Sequence, residues 1–233
     1  MQPSDVLDLL AAQRDERGIA RWKELGFDST GLRSYGVGLT RLRELAKQVG
    51  RNRELALRLW ETDVYEARVI SLLIDDPRAI TREQAEAQVD AVGAGLLSHV
   101  FSSCGASLAK VPFVVDLVDD WTASDDAHRR ACGYGLLYEI SKLTGKKAPD
   151  DAYFLGHIQR IDEGIRRESS ETRLAMGSAL MGIGKRNAAL NAAALRVARK
   201  VGPIEFESPS GRCEPFDVVK HLTTDRLKEK LGL

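Results

Sequence analysis

Apolar residues recur at helical spacing along nearly the whole chain, whereas the alternating runs that are typical of strands are absent. In LTRLRELAKQVG, residues 39–50, all the leucines fall on one helix face, and Gly50 is placed to end the helix. Residues 51–77 predict two short helices that break near Thr62 and end at Pro77. The pattern therefore predicts an all-α fold.

The rest of the chain predicts further helices joined by short polar or glycine-marked turns. The predicted helical segments are residues 81–92, 94–110, 112–124, 125–145, 149–165, 170–182 and 187–202. Residues 203–214 predict a loop because of their Pro, Ser and Gly content, and residues 215–233 predict a C-terminal helix. Since no linker demands a second domain, we expect residues 1–233 to form a single domain.

Three of the predicted helix pairs share a local feature, an arginine next to or near an alanine in the early turns of the second helix. The three occurrences are Ala67-Arg68, Arg130-Ala131 and Arg173-Leu174-Ala175. Helix pairs that recur every 30 to 45 residues, roughly, are typical of a HEAT-like α-solenoid, a right-handed superhelix of antiparallel helix pairs. The second helices of such a stack line a concave surface, where we expect the ligand to bind.

Composition limits the partners and the compartment. The 34 basic residues balance the 34 acidic ones, so a polyanionic partner would have to be met by a local patch. The first residues lack a basic region followed by an apolar run, and no stretch is long enough to cross a bilayer, so we expect a cytoplasmic protein. Cys104, Cys132 and Cys213 are widely spaced and odd in number, as expected for free thiols.

Residues 177–187, GSALMGIGKRN, have the glycines and the lysine of a phosphate-binding loop. A Walker A loop requires GxxxxGK[ST], yet Ala179 stands at the first glycine and Arg186 at the hydroxyl position, and no strand precedes the segment. We therefore interpret Lys185-Arg186 as an exposed turn between two helices.

Residues 181–200 contain five basic residues and no acidic one. Such a local ridge can contact nucleic-acid phosphates, but cations near a helix C-terminus can also remain solvated and offset the helix dipole. Charge alone leaves both interpretations open.

Two pairs of His and Cys residues could suggest other chemistry. His128 and Cys132 are spaced i,i+4, but no second pair supplies the third and fourth ligands that zinc requires. Cys213 and His221 could form a nucleophile and its base, although the stretch between them has the composition of a surface turn. We expect neither a metal nor another cofactor.

The segment YGVGLTRLRELAKQVGRNRELALRLWETDVYEARVISLLIDDP, residues 35–77, resembles the DNA alkylation repair family of HEAT-like alkylpurine-DNA glycosylases. The motifs YGV, LRxLAK, ELAxxLW, YEAR and IDDP occur in this order, and SDDAHRRA and GIGKRNxALNxAA also look like family segments. The resemblance implies a superhelix that holds duplex DNA on a concave basic face. It also implies release of N3- or N7-alkylated purines without a metal or other cofactor.

The resemblance assigns roles only residue by residue. Arg130 matches the arginine that contacts the DNA backbone. Val92 and Lys185 stand at the positions of two lesion-facing tryptophans, and Leu96 stands at that of the catalytic aspartate. A leucine cannot stabilise an oxocarbenium charge, so this site is poorly suited to excision, and the catalytic residues stay unassigned.

The sequence thus predicts a DNA alkylation repair-like protein that binds double-stranded DNA, including damaged or non-standard forms, as a monomer. The alternative is a catalytically inactive helical-repeat scaffold that binds other proteins. The residues predicted to contact DNA phosphates are Arg130, Arg173, Lys185, Arg186 and Arg196.

Overall fold

The computed structural model of the protein describes residues 1–93, 95–145, 148–205 and 214–233. Fourteen α-helices and a few short 3-10 helices form the regular structure of these residues. Within the same residues, strand-like pairing is limited to two isolated bridges, Arg33 with Val64 and Ile204 with Phe216. The predicted all-α class is confirmed. In the described part of the chain, no helix combines the length and the apolar character that crossing a membrane requires.

The chain divides into two compact units, Met1–Phe113 and Val114–Leu233. The helices of the first unit are α1 Pro3–Ala11, α2 Glu16–Glu24, α3 Leu39–Val49, α4 Arg53–Trp60, α5 Tyr65–Ile74, α6 Arg82–Ala91 and α7 Leu96–Ser102. Helix α5 forms the centre of this unit, since almost all of its residues are buried and it packs against α3, α4 and α7. The break between α4 and α5 lies where the sequence predicts it.

Glu66, on the first turn of α5, is a buried carboxylate that organises the preceding loop. Its oxygens accept hydrogen bonds from the Ser34 hydroxyl at 2.6 Å and from the Gly36 amide at 2.8 Å, and also from the amides of Tyr35 and Val37. A buried charge is tolerated when hydrogen bonds replace its hydration. Glu66 therefore fixes the YGV segment against α5.

The helices of the second unit are α8 Val114–Thr122, α9 Ala127–Ile140, α10 Asp151–Gly164, α11 Ser170–Gly184, α12 Ala188–Val201, α13 Val218–Leu222 and α14 Asp225–Leu231. Helix α9 packs closely on α8 and on α11. Two glycines permit this approach. A Cβ atom at Gly133 would lie 2.8 Å from the amide nitrogen of Thr122, and one at Gly182 would overlap the Ser141 hydroxyl.

The structure divides two predicted helices. Residues 94–110 contain α7 and a separate 3-10 helix, Ser107–Lys110, because Cys104 and Gly105 between them both have positive φ angles. The backbone cannot continue a right-handed helix through two such residues. The predicted helix at residues 215–233 is divided into α13 and α14, and Thr224 is the N-terminal cap of α14. The single domain over residues 1–233 stays a prediction.

Candidate nucleic-acid interface

The segment GSALMGIGKRN forms the end of α11 and a three-residue join to α12. Lys185 is the C-terminal cap of α11, and Asn187 caps α12 by accepting a hydrogen bond from the Leu190 amide at 2.9 Å. The residues before the join are helical, so no strand feeds a phosphate-binding loop here. The predicted helix-to-helix join is confirmed.

Arg186 is not the exposed cation that the sequence suggests. Its Nη1 donates to the carbonyl oxygens of Ser141 at 2.6 Å and Leu143 at 2.9 Å, just beyond the C-terminal end of α9. Its guanidinium carbon lies 4.3 Å from the centre of the Phe154 ring, and its Nε is buried without a hydrogen-bond partner among the described residues. Carbonyls at a helix end need such donors, so Arg186 mainly holds α9, α10 and the join together.

Arg130 is likewise engaged within the protein. Its Nε and Nη2 form a bidentate pair with the Glu168 carboxylate at 2.8 and 2.7 Å. Its Nη1 donates to the carbonyl oxygens of Ser124 and Asp125, both at 2.8 Å. Hydrogen bonding to Glu168 raises the pKa of the Arg130 guanidinium above its usual range. All three nitrogens therefore already have acceptors, and its predicted contact with DNA would have to compete with them.

Asp162 partly neutralises the basic face of α12. This carboxylate on α10 lies 3.5 Å from Nη1 of Arg196 and 2.6 Å from Nζ of Lys200. The sequence gives no sign of the pairing, because Asp162 is remote along the chain. The Arg196 side chain is nevertheless 69% exposed, which leaves it accessible to a ligand.

Arg173, on the first turn of α11, is half-buried, and its Nε has no hydrogen-bond partner in the described part of the chain.

Lys185, in contrast, opens onto a cavity of about 400 Å³. Lys142, just beyond α9, and Lys230, on α14, line the same cavity. No carboxylate stands among the described residues that line it. The described residues that line it are Tyr138, Ser141, Lys142, Leu143, Thr144, Gly182, Lys185, Arg186, Asn187 and Lys230.

The three lysines differ in how far their charges are compensated. Lys142 Nζ lies 2.8 Å from Oε1 of Glu139 and 3.9 Å from the centre of the Tyr138 ring. Lys230 Nζ donates to the Lys185 carbonyl at 3.4 Å. Burial lowers the pKa of the Lys185 ammonium, and the neighbouring charges of Lys142 and Lys230 lower it further. A bound anion would relieve this repulsion.

Val92 and Leu96, which the resemblance predicts at two positions of the lesion site, both lie in the first unit and carry aliphatic side chains. Val92, the C-terminal cap of α6, is buried to 4% exposure, and Leu96 begins α7 with a half-buried aliphatic side chain. The adjacent Leu97 amide donates to the Tyr65 hydroxyl at 2.9 Å, and burial raises the pKa of this phenol to about 12. This region is therefore a packed, largely apolar junction.

The structure describes only one of the two candidate His and Cys pairs. His128 Nε2 lies 3.8 Å from Cys132 Sγ, and the described residues contain no cluster of three or more potential metal ligands. Cys213 lies outside the described residues, so its predicted pairing with His221 does too. A different pair, unnoticed in the sequence, joins Cys104 Sγ to His99 Nε2 at 3.0 Å.

Sequence reasoning also missed Lys142 and Lys230. Both are common surface residues without a motif, and only the packing of α9, α11 and α14 brings them beside Lys185. The signal available was weak: each lies next to a predicted helix end, where cations are frequent anyway.

The known proteins that this chain is similar to agree with this fold. The family described as DNA alkylation repair enzyme matches residues 6–203. The chain belongs to this family. An uncharacterized protein from Listeria monocytogenes is 23% identical over 199 residues, which cover 84% of this chain and 85% of the relative.

A solved structure supports the same assignment at the level of fold. It represents a new family of proteins related to the HEAT-like repeat DNA glycosylases with affinity for branched DNA structures. It superposes with a TM-score of 0.80 and 22% sequence identity, covering 100% of this chain and 97% of its own. The predicted HEAT-like fold is thus confirmed for this DNA alkylation repair family member.

Proposed function

We propose that this DNA alkylation repair family member binds DNA through its phosphate backbone, and that the second unit supplies the contacts. The observation that carries the proposal is the convergence of Lys142, Lys185 and Lys230 on one cavity whose described lining contains no carboxylate. The exposed Arg196 on α12 extends the basic surface beyond the cavity. The structural relative's affinity for branched DNA structures supports DNA as the partner.

The physical basis is the release of counterions from the phosphates. Each lysine that neutralises a phosphate frees condensed cations, which makes binding favourable and sensitive to salt but indifferent to sequence. A chain with balanced charge has no overall attraction to DNA, so a local cluster has to supply it. The charges of the three lysines repel one another in the free protein, and the attraction of each lysine to a bound phosphate would offset this repulsion.

The same reasoning favours binding without base excision. At the position that the resemblance assigns to the carboxylate stabilising a positive charge on the sugar stands Leu96, and Val92 is packed in the interior. We therefore expect no release of N7-methylguanine from alkylated DNA above the spontaneous rate. Chromatography of the free bases, with an active glycosylase as the positive control, measures this. Clear excess release would show that another group has taken over the role.

The binding test compares two charge-reversed double variants. Lys185→Glu with Lys230→Glu should abolish binding to duplex and four-way junction DNA in fluorescence anisotropy at low salt. Lys47→Glu with Lys228→Glu makes the same change in net charge at exposed positions outside the cavity. This control should keep the affinity within about threefold of wild type, because screened surface charges contribute little. Equal losses in both variants, or a wild type that binds no DNA at 50 mM salt, about the lower end of the informative range, would contradict the proposal.

A further inference from the structure

The shape of the lysine cavity carries information beyond its charge. Its walls come from the end of α9 and the residues after it, the end of α11 and the join to α12, and α14, and together they form a half-open recess of about 400 Å³. A phosphate inside a continuous strand is flanked by a sugar on each side and meets proteins most readily across an open ridge. A phosphate at a strand end has one flank free and can enter a recess.

The charge of the phosphate also distinguishes a strand end from a continuous strand. A phosphate monoester carries a charge of about −1.5 to −2 near neutral pH, whereas each phosphate within a strand carries a single negative charge. The cavity offers the ammonium groups of Lys142, Lys185 and Lys230, of which only Lys142 has a carboxylate partner among the described residues. Three cations around one recess match a dianion better than a monoanion.

The α11–α12 join places a helix N-terminus beside this recess. Asn187 lines the cavity and caps α12, a helix of 14 residues, and its side-chain amide donates to the Asp151 carboxylate at 2.7 Å, which offsets part of the positive dipole end. Tyr138 closes another wall, because Gly182 lets its ring approach to 2.7 Å from where a Cβ atom would stand. The Tyr138 ring also holds Lys142 Nζ in place at 3.9 Å from its centre.

We propose that this cavity receives the terminal phosphate of a nucleic-acid strand, so that the protein prefers phosphorylated strand ends to continuous backbone. The inference rests on the proposed DNA binding and specifies which part of the DNA the cavity takes. In this arrangement Lys185 and Lys230 contact the phosphate oxygens, and Lys142 lies on the opposite wall beside Tyr138.

The test compares duplexes that differ only at their ends. Three versions of one sequence are titrated by anisotropy: one with terminal phosphates, one with terminal hydroxyls, and a covalently closed dumbbell without ends. We expect the phosphorylated duplex to bind about tenfold more tightly than the hydroxyl-ended one, as expected for added charge-assisted hydrogen bonds. The dumbbell should bind no better than the hydroxyl-ended duplex.

A matched pair of variants on α14 ties this preference to the cavity. Lys230→Gln should bring the ratio of the two affinities close to one, whereas Lys228→Gln, which changes a lysine of the same helix outside the cavity lining, should keep it. A ratio that Lys230→Gln leaves unchanged would place the end recognition elsewhere and overturn the inference.

A phosphorylated tetranucleotide separates the two proposals, because it is too short to span a duplex-binding surface. Chemical-shift changes at the amides of Lys185 and Asn187 on adding it, and none on adding the unphosphorylated tetranucleotide, support the cavity inference even if duplex binding fails. Salt-sensitive binding of all three duplexes with equal affinity would overturn the inference and leave DNA binding intact.

Discussion

At the scale of single residues, the cations divide into those that hold the fold and those that remain for a ligand. The guanidinium groups of Arg130 and Arg186 are occupied by carbonyls, a carboxylate and an aromatic ring of the protein itself. The ammonium of Lys185 instead stands beside two like charges. Arginine suits the first task because its planar fork can serve several acceptors at once, which a lysine cannot do.

Arg186→Lys should therefore destabilise the protein by about 1–2 kcal/mol, since an ammonium cannot keep both carbonyl contacts and the stacking on Phe154. Urea denaturation followed by circular dichroism measures the change. Arg199→Lys, at an exposed position of α12, serves as the control and should change stability by less than about 0.5 kcal/mol. Equal effects of the two variants would remove the structural role assigned to Arg186.

Lys185→Gln should stabilise the ligand-free protein at neutral pH, because the lowered pKa of Lys185 means that folding disfavours its charged form. This cost is fully present below the folded-state pKa and disappears as the pH rises towards the ordinary value of 10.5. The difference in unfolding free energy between Lys185→Gln and wild type should thus shrink from pH 7 to about pH 10.5. A difference that is constant with pH would show that the charge of Lys185 is not its cause.

At the scale of helices, close approach in the second unit depends on residues without side chains. Gly133 on α9 lies against the last turn of α8, where Trp121 and Thr122 leave no room for a Cβ atom. Gly182 has the same role between α11 and the residues after α9, and this contact forms one wall of the lysine cavity. Helix packing and the shape of the candidate site therefore share a cause.

Gly133→Ala should destabilise the protein by about 1–3 kcal/mol, since the new methyl group would lie 2.8 Å from the Thr122 backbone nitrogen and force α8 and α9 apart. Gly156→Ala on α10 is the matched control, because nothing lies within 4 Å of its Cβ position. That control should be neutral or more stable by up to about 1 kcal/mol, as alanine is the better helix former. Thermal unfolding of both variants gives the comparison, and a neutral Gly133→Ala would contradict the packing argument.

At the scale of the whole molecule, balanced charge makes the DNA interaction a local one. With the three cavity lysines around one phosphate and the exposed Arg196 at a second, the logarithm of the binding constant should fall with the logarithm of salt concentration with a slope of about −2. Lys185→Gln with Lys230→Gln should reduce the steepness of this slope by about 1, because the phosphate contact in the cavity is lost. Anisotropy titrations from 50 to 200 mM salt, about the usual working range, measure it. A steep slope that the variant leaves unaltered would place the phosphate contacts outside the cavity.

The sequence by itself determined the all-α class, the α4–α5 break, the HEAT-like fold and the family, because helical periodicity and ordered motifs are local properties of the chain. The resemblance to the family also predicts that Leu96 stands at the position of a catalytic carboxylate, and this prediction depends on residue identity alone. Only the tertiary structure decided which cations remain for a ligand. The partners of Arg130 and Arg186 are remote from them in the sequence, and so is Asp162 from Arg196, so no local pattern predicts these contacts. Lys142 and Lys230 became neighbours of Lys185 for the same reason, since helix packing joins residues that are far apart in sequence.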